Sequence, residues 1–532
     1  MSKIYGFYGG SHSASSSLII DGKPKYSIEE ERMTREKTGD VPESWPTLSY
    51  EKIKDLTDIT VESSDYNVFV KPLPDNWVRS FSKGKFDSVD HHVAHNYGAY
   101  FTSGMEGKVL SVSYDGGGDA SYMRVFLCEG SKMTQVHQLY VHSHGSLSHL
   151  WGFSTMAMMG YDHNWEGNWK ICKDEGKLMG MAPEGKYDPV LYNYFQSIIR
   201  YDNLEFYPAL TAMKTKLVAD TLLFKGYFDS PDNREKYSYN LQLYTEELMV
   251  RFFNDLHDRF PEYTKVVVSG GLFANVKMNQ KLNELSWLDE LYVYPPMGDE
   301  GLSLGACLWK AVQLGEITQP LKLSNVSLGP SYDDKDVNQI LDEYQYDFKI
   351  SPYETDQIAQ DIDDGLIIGW FQGGMEYGPR ALGNRSILVR PTRYETHQEL
   401  NERLGRYDTM PFAPMVLEEH FDDLFTTNKS LYSSQFMTIC YTTKDHWIDK
   451  IPAVIQKSDK TARPQVISKT NNEEVYRLME RYYEISSIPV ILNTSFNIHG
   501  EPIIENPKHA FEHLKNKVVD KLVIGNNVYE NK

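Results

Sequence analysis

Cysteine is scarce in this chain. Its 532 residues include 4 cysteines, which are widely separated: Cys128, Cys172, Cys307 and Cys440. No two of them form a Cys-x-x-Cys pair, so the sequence excludes a disulfide framework and a zinc ribbon. Such sparse use of cysteine is typical of a reducing compartment and predicts a cytoplasmic protein.

Positive charge and long apolar runs are also lacking. The chain has 54 Lys and Arg against 74 Asp and Glu, a formal net charge of −20. A protein that grips a phosphate backbone needs a cationic surface, so a nucleic-acid polymer is not expected as a partner, although a small anion in a local basic pocket is compatible. The N-terminus has no signal-peptide core, and no apolar run reaches the roughly 20 residues of a membrane-spanning helix. We therefore predict no membrane partner.

The length and the composition along the chain indicate more than one domain. At roughly 150 residues per domain, two to four are expected. After residue 317 the sequence contains Pro320 and Gly329-Pro330 among Ser and Asp residues, which is typical of a connection. We predict a large α/β domain over residues 1–320, a linker over 321–344 and a smaller α/β domain over 345–532. A symmetric homodimer is compatible with an enzyme of this size.

Short apolar runs that end at Gly, Pro or Asp predict the strands. Asp21-Gly22 predicts a hairpin turn, and the periodicity of residues 300–314 predicts a helix. The predicted strands cover Lys3–Tyr8, Ser16–Ile20, Lys25–Glu29, Val109–Tyr114, Tyr122–Leu127, Val266–Ser269, Leu291–Tyr294, Leu366–Phe371 and Ile488–Leu492.

Three glycine-bearing turns follow strands in the first domain. They are Gly9-Gly10-Ser11, the run from Asp115 to Asp119, and Ser269-Gly270-Gly271. Glycine lets backbone N–H groups approach phosphate oxygens closely. An ordinary tight turn explains any one of them, but the ordered set is typical of the actin-like ATPase (ASKHA) fold, a duplicated α/β domain with a nucleotide cleft. The candidate nucleotide-binding residues are Asp115, Gly116, Gly117, Gly118, Gly270 and Gly271.

Two histidines four residues apart suggest a metal site. On a helix, His91 and His95 lie on one face with Cβ atoms about 5–6 Å apart, and both imidazoles can reach one metal. Asp299, at a strand-to-helix junction, is the candidate third ligand, and His92 points elsewhere. Two His and one carboxylate suit Fe²⁺ or Mn²⁺ at least as well as Zn²⁺. The alternative is a polar helix face without metal.

The second domain has an arginine-rich set of segments. These are Gly378–Ser386, which includes Arg380 and Arg385, then Arg406, Thr461–Arg463, and Asn493–Asn497, which directly follows a strand. Arginine binds phosphate or carboxylate through two parallel hydrogen bonds. The alternative, strongest for Arg385 and Arg406, is pairing with the protein's own carboxylates.

Together these motifs resemble the O-carbamoyltransferase family of nodulation-factor and antibiotic-tailoring enzymes, over nearly the whole chain. The matching segments are Glu29–Arg32 with Arg35 and Lys37, His91–His95, Ser113–Gly116, Glu175–Ala182, Ser269–Gly271 with Asn275, Gly298–Gly301, Gly378–Ser386, Pro411–Pro414, and Leu492–Asn497 with Gly500–Pro502. The resemblance implies a TsaD-like domain of the actin-like fold, followed by a YrdC-like α/β domain.

The resemblance also implies a chemistry. Carbamoyl phosphate and ATP, with Mg²⁺, give carbamoyl adenylate and pyrophosphate in the YrdC-like domain, and the first domain transfers the carbamoyl group to a hydroxyl of a small molecule or nucleotide. The same resemblance also implies roles for individual residues. Carbamoyl phosphate would be held by Arg380, Arg463, Asn493 and Ser495, and the nucleotide co-substrate would be bound by Arg385, Arg406 and Asn275. Lys37 would position acceptor or phosphate, His12 would be the base, and the mononuclear Fe²⁺ or Mn²⁺ would be held by His91, His95 and Asp299.

The sequence departs from the family pattern at several positions. His12-Ser13 stands in place of His-Asp, and Leu404 and Met410 replace two cations before the Pro-Phe-Ala-Pro segment, where Arg406 keeps its place. Two other functions therefore stay open: threonylcarbamoyl-type transfer to a nucleoside, and a nucleotide-binding regulatory protein with altered chemistry.

Overall fold

The computed structural model describes residues 2–9, 13–37, 45–71, 85–141, 143–159, 174–208, 226–406, 410–427 and 429–532. The chain divides into two compact units. The first comprises Met1–Glu30 and Thr38–Leu323, and the second Glu31–Lys37 and Ser324–Lys532. The short segment Glu31–Lys37 thus belongs to the second unit, whereas the sequence placed it within a domain over residues 1–320.

The first unit is built on two five-stranded sheets. The central strands of each sheet are buried along most of their length, as expected of strands covered on both faces. The strands of the first sheet are β1 (Lys3–Tyr8), β2 (Ser15–Ile20), β3 (Lys23–Glu29), β4 (Tyr66–Val70) and β5 (Phe86–Val89). Those of the second are β6 (Val109–Gly118), β7 (Ser121–Glu129), β8 (Lys132–Tyr140), β11 (Lys265–Ser269) and β12 (Glu290–Val293), while β9 (Ile199–Asp202) and β10 (Glu205–Pro208) form a separate ribbon.

The two sheets share one topology. The first has the order β3-β2-β1-β4-β5 and the second β8-β7-β6-β11-β12. In each, the first three strands in chain order form an antiparallel meander and the last two join it in parallel. The first unit therefore contains the same sheet topology twice, which agrees with the duplicated α/β domain predicted from the sequence. The predicted hairpin is confirmed, because β2 pairs antiparallel with β3 and Asp21 and Gly22 both have positive φ.

Helices flank these sheets in the chain order that α/β folds require. Helix α1 (Glu30–Thr34) lies almost wholly in the segment Glu31–Lys37, which belongs to the second unit. The helices of the first unit are α2 (Thr47–Thr57), α3 (His91–Thr102), α4 (Leu147–Met159), α5 (Glu175–Met181), α6 (Pro189–Ile198), α7 (Pro231–Arg259), α8 (Val276–Asn283) and α9 (Leu302–Gln313). The helix predicted over residues 300–314 is confirmed as α9, preceded by a 3-10 turn at Asp299–Gly301.

The second unit contains one mixed eight-stranded sheet, of order β13-β22-β21-β14-β15-β20-β16-β19. Trp370 of β14 lies in its core with residues of α11 and α15. The eight strands of the sheet are β13 (Phe348–Pro352), β14 (Ile368–Phe371), β15 (Arg385–Val389), β16 (Ala413–Leu417), β19 (Gln465–Ile467), β20 (Val490–Ser495), β21 (Lys521–Ile524) and β22 (Asn527–Asn531). Strands β17 (Tyr441–Thr442) and β18 (Thr461–Ala462) form a separate two-stranded ribbon. The helices are α10 (Asp334–Glu343), α11 (Thr355–Asp364), α12 (Tyr394–Leu404), α13 (Phe421–Leu424), α14 (Asp445–Ile448), α15 (Glu473–Ser486) and α16 (Pro507–Lys515).

The predicted linker over residues 321–344 is largely structured. Backbone hydrogen bonds join Tyr377 N to Val326 O, and Gly329 N to Met375 O, both at 2.8 Å. Helix α10 begins with a capping box at Asp333. The main segment of the second unit starts at Ser324, so most of the stretch predicted as a linker lies within that unit. Its Gly, Pro and Ser residues form ordered backbone pairings there.

Across the described part of the chain, no helix combines the length and the apolar character needed to cross a membrane.

Candidate functional site

Helix α3 begins at a point held by two carboxylates. Asp90 caps the helix by accepting a hydrogen bond from Val93 N (3.1 Å), and Asp90 is paired with Arg124 at 2.6 Å. Asp119, in the turn after β6, accepts from His91 N at 2.7 Å. An Asp N-cap satisfies backbone donors that a helix leaves free at its start. These contacts fix the first turn of α3, which carries the predicted metal ligands.

Four side chains converge at the start of this helix. Candidate ligand atoms of His91, His95, Asp115 and Asp299 all lie within 4.8 Å of one another. His91 Nε2 and His95 Nε2 are 3.4 and 3.5 Å from Asp299 Oδ1. His95 Nε2 is 3.0 Å from Asp115 Oδ2. The structure therefore brings the three predicted ligands together and adds Asp115, which the sequence had assigned to nucleotide binding.

The topology explains why Asp115 was missed as a ligand. Asp115 ends the apolar part of β6, and Asp299 follows β12, in the same sheet. Strands β6, β11 and β12 are parallel, so their carboxyl ends lie at one edge. The sequence does show an acidic residue at the end of each of two strands. It does not reveal that these two strands belong to the same sheet.

The electrostatics of the cluster fit a divalent cation. Burial lowers the pKa of His95, but its hydrogen bonds to the carboxylates of Asp115 and Asp299 outweigh this effect and raise the pKa to about 9. Burial would raise the pKa of Asp115, whereas His91 and His95 hold it well below its usual range. His91 Nε2 is buried without a hydrogen-bond partner among the described residues. A metal ion would take the place of the proton on His95, and it would also give His91 Nε2 a partner.

His92 has a different role. Its Nδ1 lies 2.8 Å from Ser113 Oγ, and its Nε2 donates to Ser121 O at 3.0 Å. Burial and the neighbouring histidines lower the pKa of His92 well below its usual range. It ties α3 to the sheet as a neutral residue, pointing away from the cluster.

The glycine turns lie against the cluster. Gly270 has a φ of +99°, and a Cβ added to it would lie 2.2 Å from Tyr114 O. A Cβ added to Gly271 would lie 3.2 Å from Asp115 Oδ1. The second and third predicted turns therefore meet at Asp115. Gly9 is described, whereas Gly10, Ser11 and the predicted base His12 lie outside the described residues.

Asn275, predicted to bind nucleotide, is used within the protein. Its Oδ1 accepts from Met278 N at 3.0 Å and so caps α8. The same amide forms a reciprocal pair with Gln242, at 2.9 and 3.1 Å. Because both of its polar atoms are engaged, Asn275 holds the turn in place instead of presenting a free amide.

We predict that Gly118→Ala disrupts the cluster whereas Gly116→Ala does not. A Cβ on Gly118 would lie 2.3 Å from the His91 ring, whereas nothing lies within 4 Å of one on Gly116. Overpacking of this kind costs about 1–3 kcal/mol and displaces the ring. Thermal unfolding and Mn²⁺ titration of both variants measure the effect. Equal Mn²⁺ affinity in the two variants would contradict the close packing of Gly118 on His91.

In the second unit, the segment Gly378–Ser386 folds around a buried carboxylate. Glu376 Oε1 accepts three backbone N–H groups, from Leu382 at 2.6 Å, Asn384 at 2.8 Å and Arg385 at 3.1 Å. From the segment Glu31–Lys37, Arg32 Nη2 donates to Gly378 O at 2.8 Å. Sequence analysis missed Glu376, because a carboxylate that binds backbone groups has no pattern of its own.

Arg385 contributes to this scaffold, and its predicted role in nucleotide binding stays a prediction. It is fully buried, and its guanidinium stacks on Phe371 at 3.6 Å. It donates to four backbone carbonyls, those of Gln372, Gly373, Asn384 and Pro330. Burial lowers its pKa to about 10. Nη1 donates to three of these carbonyls and Nη2 to one, while Nε is buried without a hydrogen-bond partner among the described residues.

Arg380 and Arg463 differ from Arg385 in the hydrogen bonding of their guanidinium groups. Both are half-buried, and neither forms a hydrogen bond or ion pair with any residue in the described ranges. Burial and the charge of Arg463 lower the pKa of Arg380 well below its usual range. Burial also lowers the pKa of Arg463, and the charge of Arg406 lowers it further. The three guanidinium groups are therefore within electrostatic reach of one another.

The predicted polar residues of β20 lie beside these arginines. Arg406 donates to Thr494 Oγ1 and Ser495 Oγ at 3.4 and 3.3 Å. Asn493 donates to Ala381 O and Gln465 Oε1, at 3.0 and 2.8 Å, and its Oδ1 is buried without a partner among the described residues. An unsatisfied acceptor, Asn493 Oδ1, and one of the three arginines, Arg406, thus lie at the end of this strand.

The remaining predicted positions are peripheral to this set. Lys37 is exposed at the end of the segment Glu31–Lys37. Leu404 is fully buried at the end of α12, and Met410 O lies 3.1 Å from His397 Nε2. The apolar residue at 404 is thus part of the core.

Comparisons with known proteins agree with one another over most of the chain. The family model "Carbamoyltransferase N-terminus" matches residues 59–308, and "Carbamoyltransferase C-terminus" matches residues 359–531. An uncharacterized protein of Methanocaldococcus jannaschii is 31% identical over 97% of this chain and 97% of its own length. Nodulation protein NolO of Bradyrhizobium diazoefficiens is 27% identical over 82% of this chain and 78% of its own length.

Solved structures give distant likenesses. Full-length HypF in a phosphate- and nucleotide-bound form is 15% identical with a TM-score of 0.37, covering 59% of this chain and 46% of that one. The two family models and the relatives, in contrast, match the amino-acid sequence of both units. The chain belongs to the carbamoyltransferase family and is a carbamoyltransferase enzyme.

Proposed function

We propose that this protein is an ATP-dependent O-carbamoyltransferase that takes its carbamoyl group from carbamoyl phosphate and transfers it to a hydroxyl of a small molecule. The observation that carries the proposal is the pair Arg380 and Arg463, two half-buried cations without an acidic partner in the described parts of the second unit. Like charges placed together are unfavourable unless an anion joins them.

Carbamoyl phosphate matches this arrangement in charge and in hydrogen bonding. Its phosphate would bind the guanidinium groups of Arg380 and Arg463, with Arg406 and Ser495 beside them. Its carbamoyl NH₂ group would donate to Asn493 Oδ1, the buried acceptor that lacks a partner among the described residues. Inorganic phosphate alone would leave that oxygen unsatisfied.

The proposed chemistry has two stages. In the first, carbamoyl phosphate takes up water and releases inorganic phosphate, and an oxygen of the resulting carbamate bonds to the α-phosphorus of ATP as pyrophosphate leaves. In the second, the acceptor oxygen bonds to the carbamoyl carbon, AMP leaves, and a base receives the hydroxyl proton. Carbamate decomposes in water, so an activated and enclosed intermediate is required.

We assign the second stage to the first unit. Its topological repeat supports an actin-like fold of the TsaD-like branch, and its His91, His95, Asp115 and Asp299 would hold Fe²⁺ or Mn²⁺. Such an ion supplies Lewis acidity toward a carbonyl or phosphate oxygen. His12 stays the proposed base and Lys37 a proposed positioning residue. The second unit is the proposed YrdC-like activation domain.

Pyrophosphate release tests the first stage without knowledge of the acceptor. The protein is incubated with ATP, Mg²⁺, Mn²⁺ or Fe²⁺, and carbamoyl phosphate. We expect pyrophosphate that depends on carbamoyl phosphate, together with carbamoyl adenylate or AMP by mass spectrometry. Pyrophosphate formed equally well without carbamoyl phosphate, or no release with any metal, would contradict the proposed donor.

A further inference from the structure

The strand that leads into the first glycine turn presents alternate residues to its two faces. A strand places successive side chains on opposite faces, so Gly6 and Tyr8 of β1 share one face and Tyr5 and Phe7 the other. A Cβ on Gly6 would lie 2.0 Å from Ser303 O, which identifies the face of Gly6 as the one covered by α9. Tyr5 instead donates to Ile59 O at 2.8 Å.

Tyr8 reaches the four-residue cluster from this face. It is 4% exposed, and its Oη donates to Asp299 Oδ2 at 2.6 Å. The other carboxylate oxygen, Oδ1, is the one that lies 3.4 and 3.5 Å from His91 and His95. The phenol thus holds one oxygen of Asp299 and leaves the second directed at the histidines.

The ring of Tyr8 also touches the cluster. Its centroid lies 5.9 Å from that of His91, at an interplanar angle of 72°. Gly118 closes the other side of His91, where there is no room for a Cβ. Tyr8 therefore contacts two of the four residues, by a hydrogen bond to the carboxylate and an edge-to-face contact with the imidazole.

We propose that Tyr8 is a positioning residue of the metal site, one that orients Asp299 and His91 for the cation without binding it. The proposal deepens the proposed function, on whose metal site it rests. Outer partners of metal ligands fix the orientation of those ligands, and their loss typically lowers metal affinity about 10- to 100-fold. A tyrosine with a purely structural role could donate its hydrogen bond to any acceptor, whereas Tyr8 donates to Asp299, a candidate metal ligand.

The test compares Tyr8→Phe with Tyr5→Phe in the full-length protein. Both variants lose one hydroxyl and one buried hydrogen bond on the same strand, and Tyr8→Phe keeps the ring beside His91. Mn²⁺ affinity is measured from the electron paramagnetic resonance signal of free Mn²⁺, and stability from thermal unfolding. We expect Tyr8→Phe to bind Mn²⁺ about 10- to 100-fold more weakly and Tyr5→Phe to match the wild type.

Each other outcome overturns the proposal in a recognisable way. Unchanged affinity in Tyr8→Phe would remove the role of Tyr8 and leave the metal site intact. Equal weakening in both variants would show general destabilisation of β1. Wild-type protein that binds none of Mn²⁺, Fe²⁺ and Zn²⁺ would remove the proposed metal site, and the role of Tyr8 with it.

Discussion

Arg463→Ala is expected to lower carbamoyl-phosphate-dependent pyrophosphate release by about 100- to 1,000-fold in kcat/KM, the usual cost of removing one donor that stabilises developing charge. Arg463 forms no hydrogen bond or ion pair with the described residues, so its removal breaks no such bond among them. Loss of one of several close like charges also relieves repulsion within the free protein. We therefore expect the unfolding temperature to stay the same or to rise.

The matched control is Arg477→Ala. Arg477 is an exposed arginine on α15, paired with Glu473 one turn away at 2.5 Å. Exposed pairs of this kind contribute about 0–1 kcal/mol, so this variant should keep both activity and stability. The measurement is initial pyrophosphate release at varied carbamoyl phosphate, combined with thermal unfolding. Arg463→Ala with near-wild-type release would contradict the proposed anion site, and Arg463→Ala that unfolds would identify a structural arginine.

The contrast between Arg463 and Arg385 shows what the sequence could not predict. Both are arginines in segments rich in small residues, and both fit an anion site equally well by pattern. The two terminal nitrogens of Arg385 donate to four backbone carbonyls, and those carbonyls have no sequence signature. Free and engaged cations can thus be told apart only when the fold is known.

The fold was predictable where information is local. Apolar runs that end at glycine gave β1, β6 and β11, and Asp21-Gly22 gave the hairpin. Strands β4 and β5 were missed, and the pairing that creates the duplicated topology is long-range, so no spacing within a window reveals it.

The candidate metal site was predictable to the same extent. The separation of His91 and His95 fixes their distance within one helix, and that helix is confirmed. The addition of Asp115 depends on two strands of one sheet ending at the same edge, and the contact of Tyr8 with Asp299 joins residues 291 positions apart. Sequence reasoning therefore found the two histidines from their spacing and Asp299 from its place at a strand-to-helix junction, and it assigned Asp115 to nucleotide binding instead.

The second large effect is expected from His95→Ala, and it should separate the two proposed stages. His95 Nε2 is 3.0 Å from Asp115 and 3.5 Å from Asp299, the most central of the four ligand candidates. Its removal takes away one of two imidazoles and leaves Asp115 and Asp299 with His91 alone, so we expect at least about a 100-fold loss of Mn²⁺ affinity. Pyrophosphate release belongs to the second unit in the proposed scheme, and it should stay within about twofold of wild type, the range typical of residues remote from a step.

His446→Ala is the control for this variant, because His446 is an exposed histidine of the second unit that pairs with Asp423 at 3.3 Å. Metal content after loading and dialysis, measured beside pyrophosphate release, gives the two readouts. Loss of metal with retained release places the metal in carbamoyl transfer, as proposed. Loss of both in His95→Ala would instead mean that the activation step needs the ion of the first unit, and the division of labour between the units would then be wrong. Retention of metal would contradict the ligand set, because two carboxylates and one histidine would then suffice.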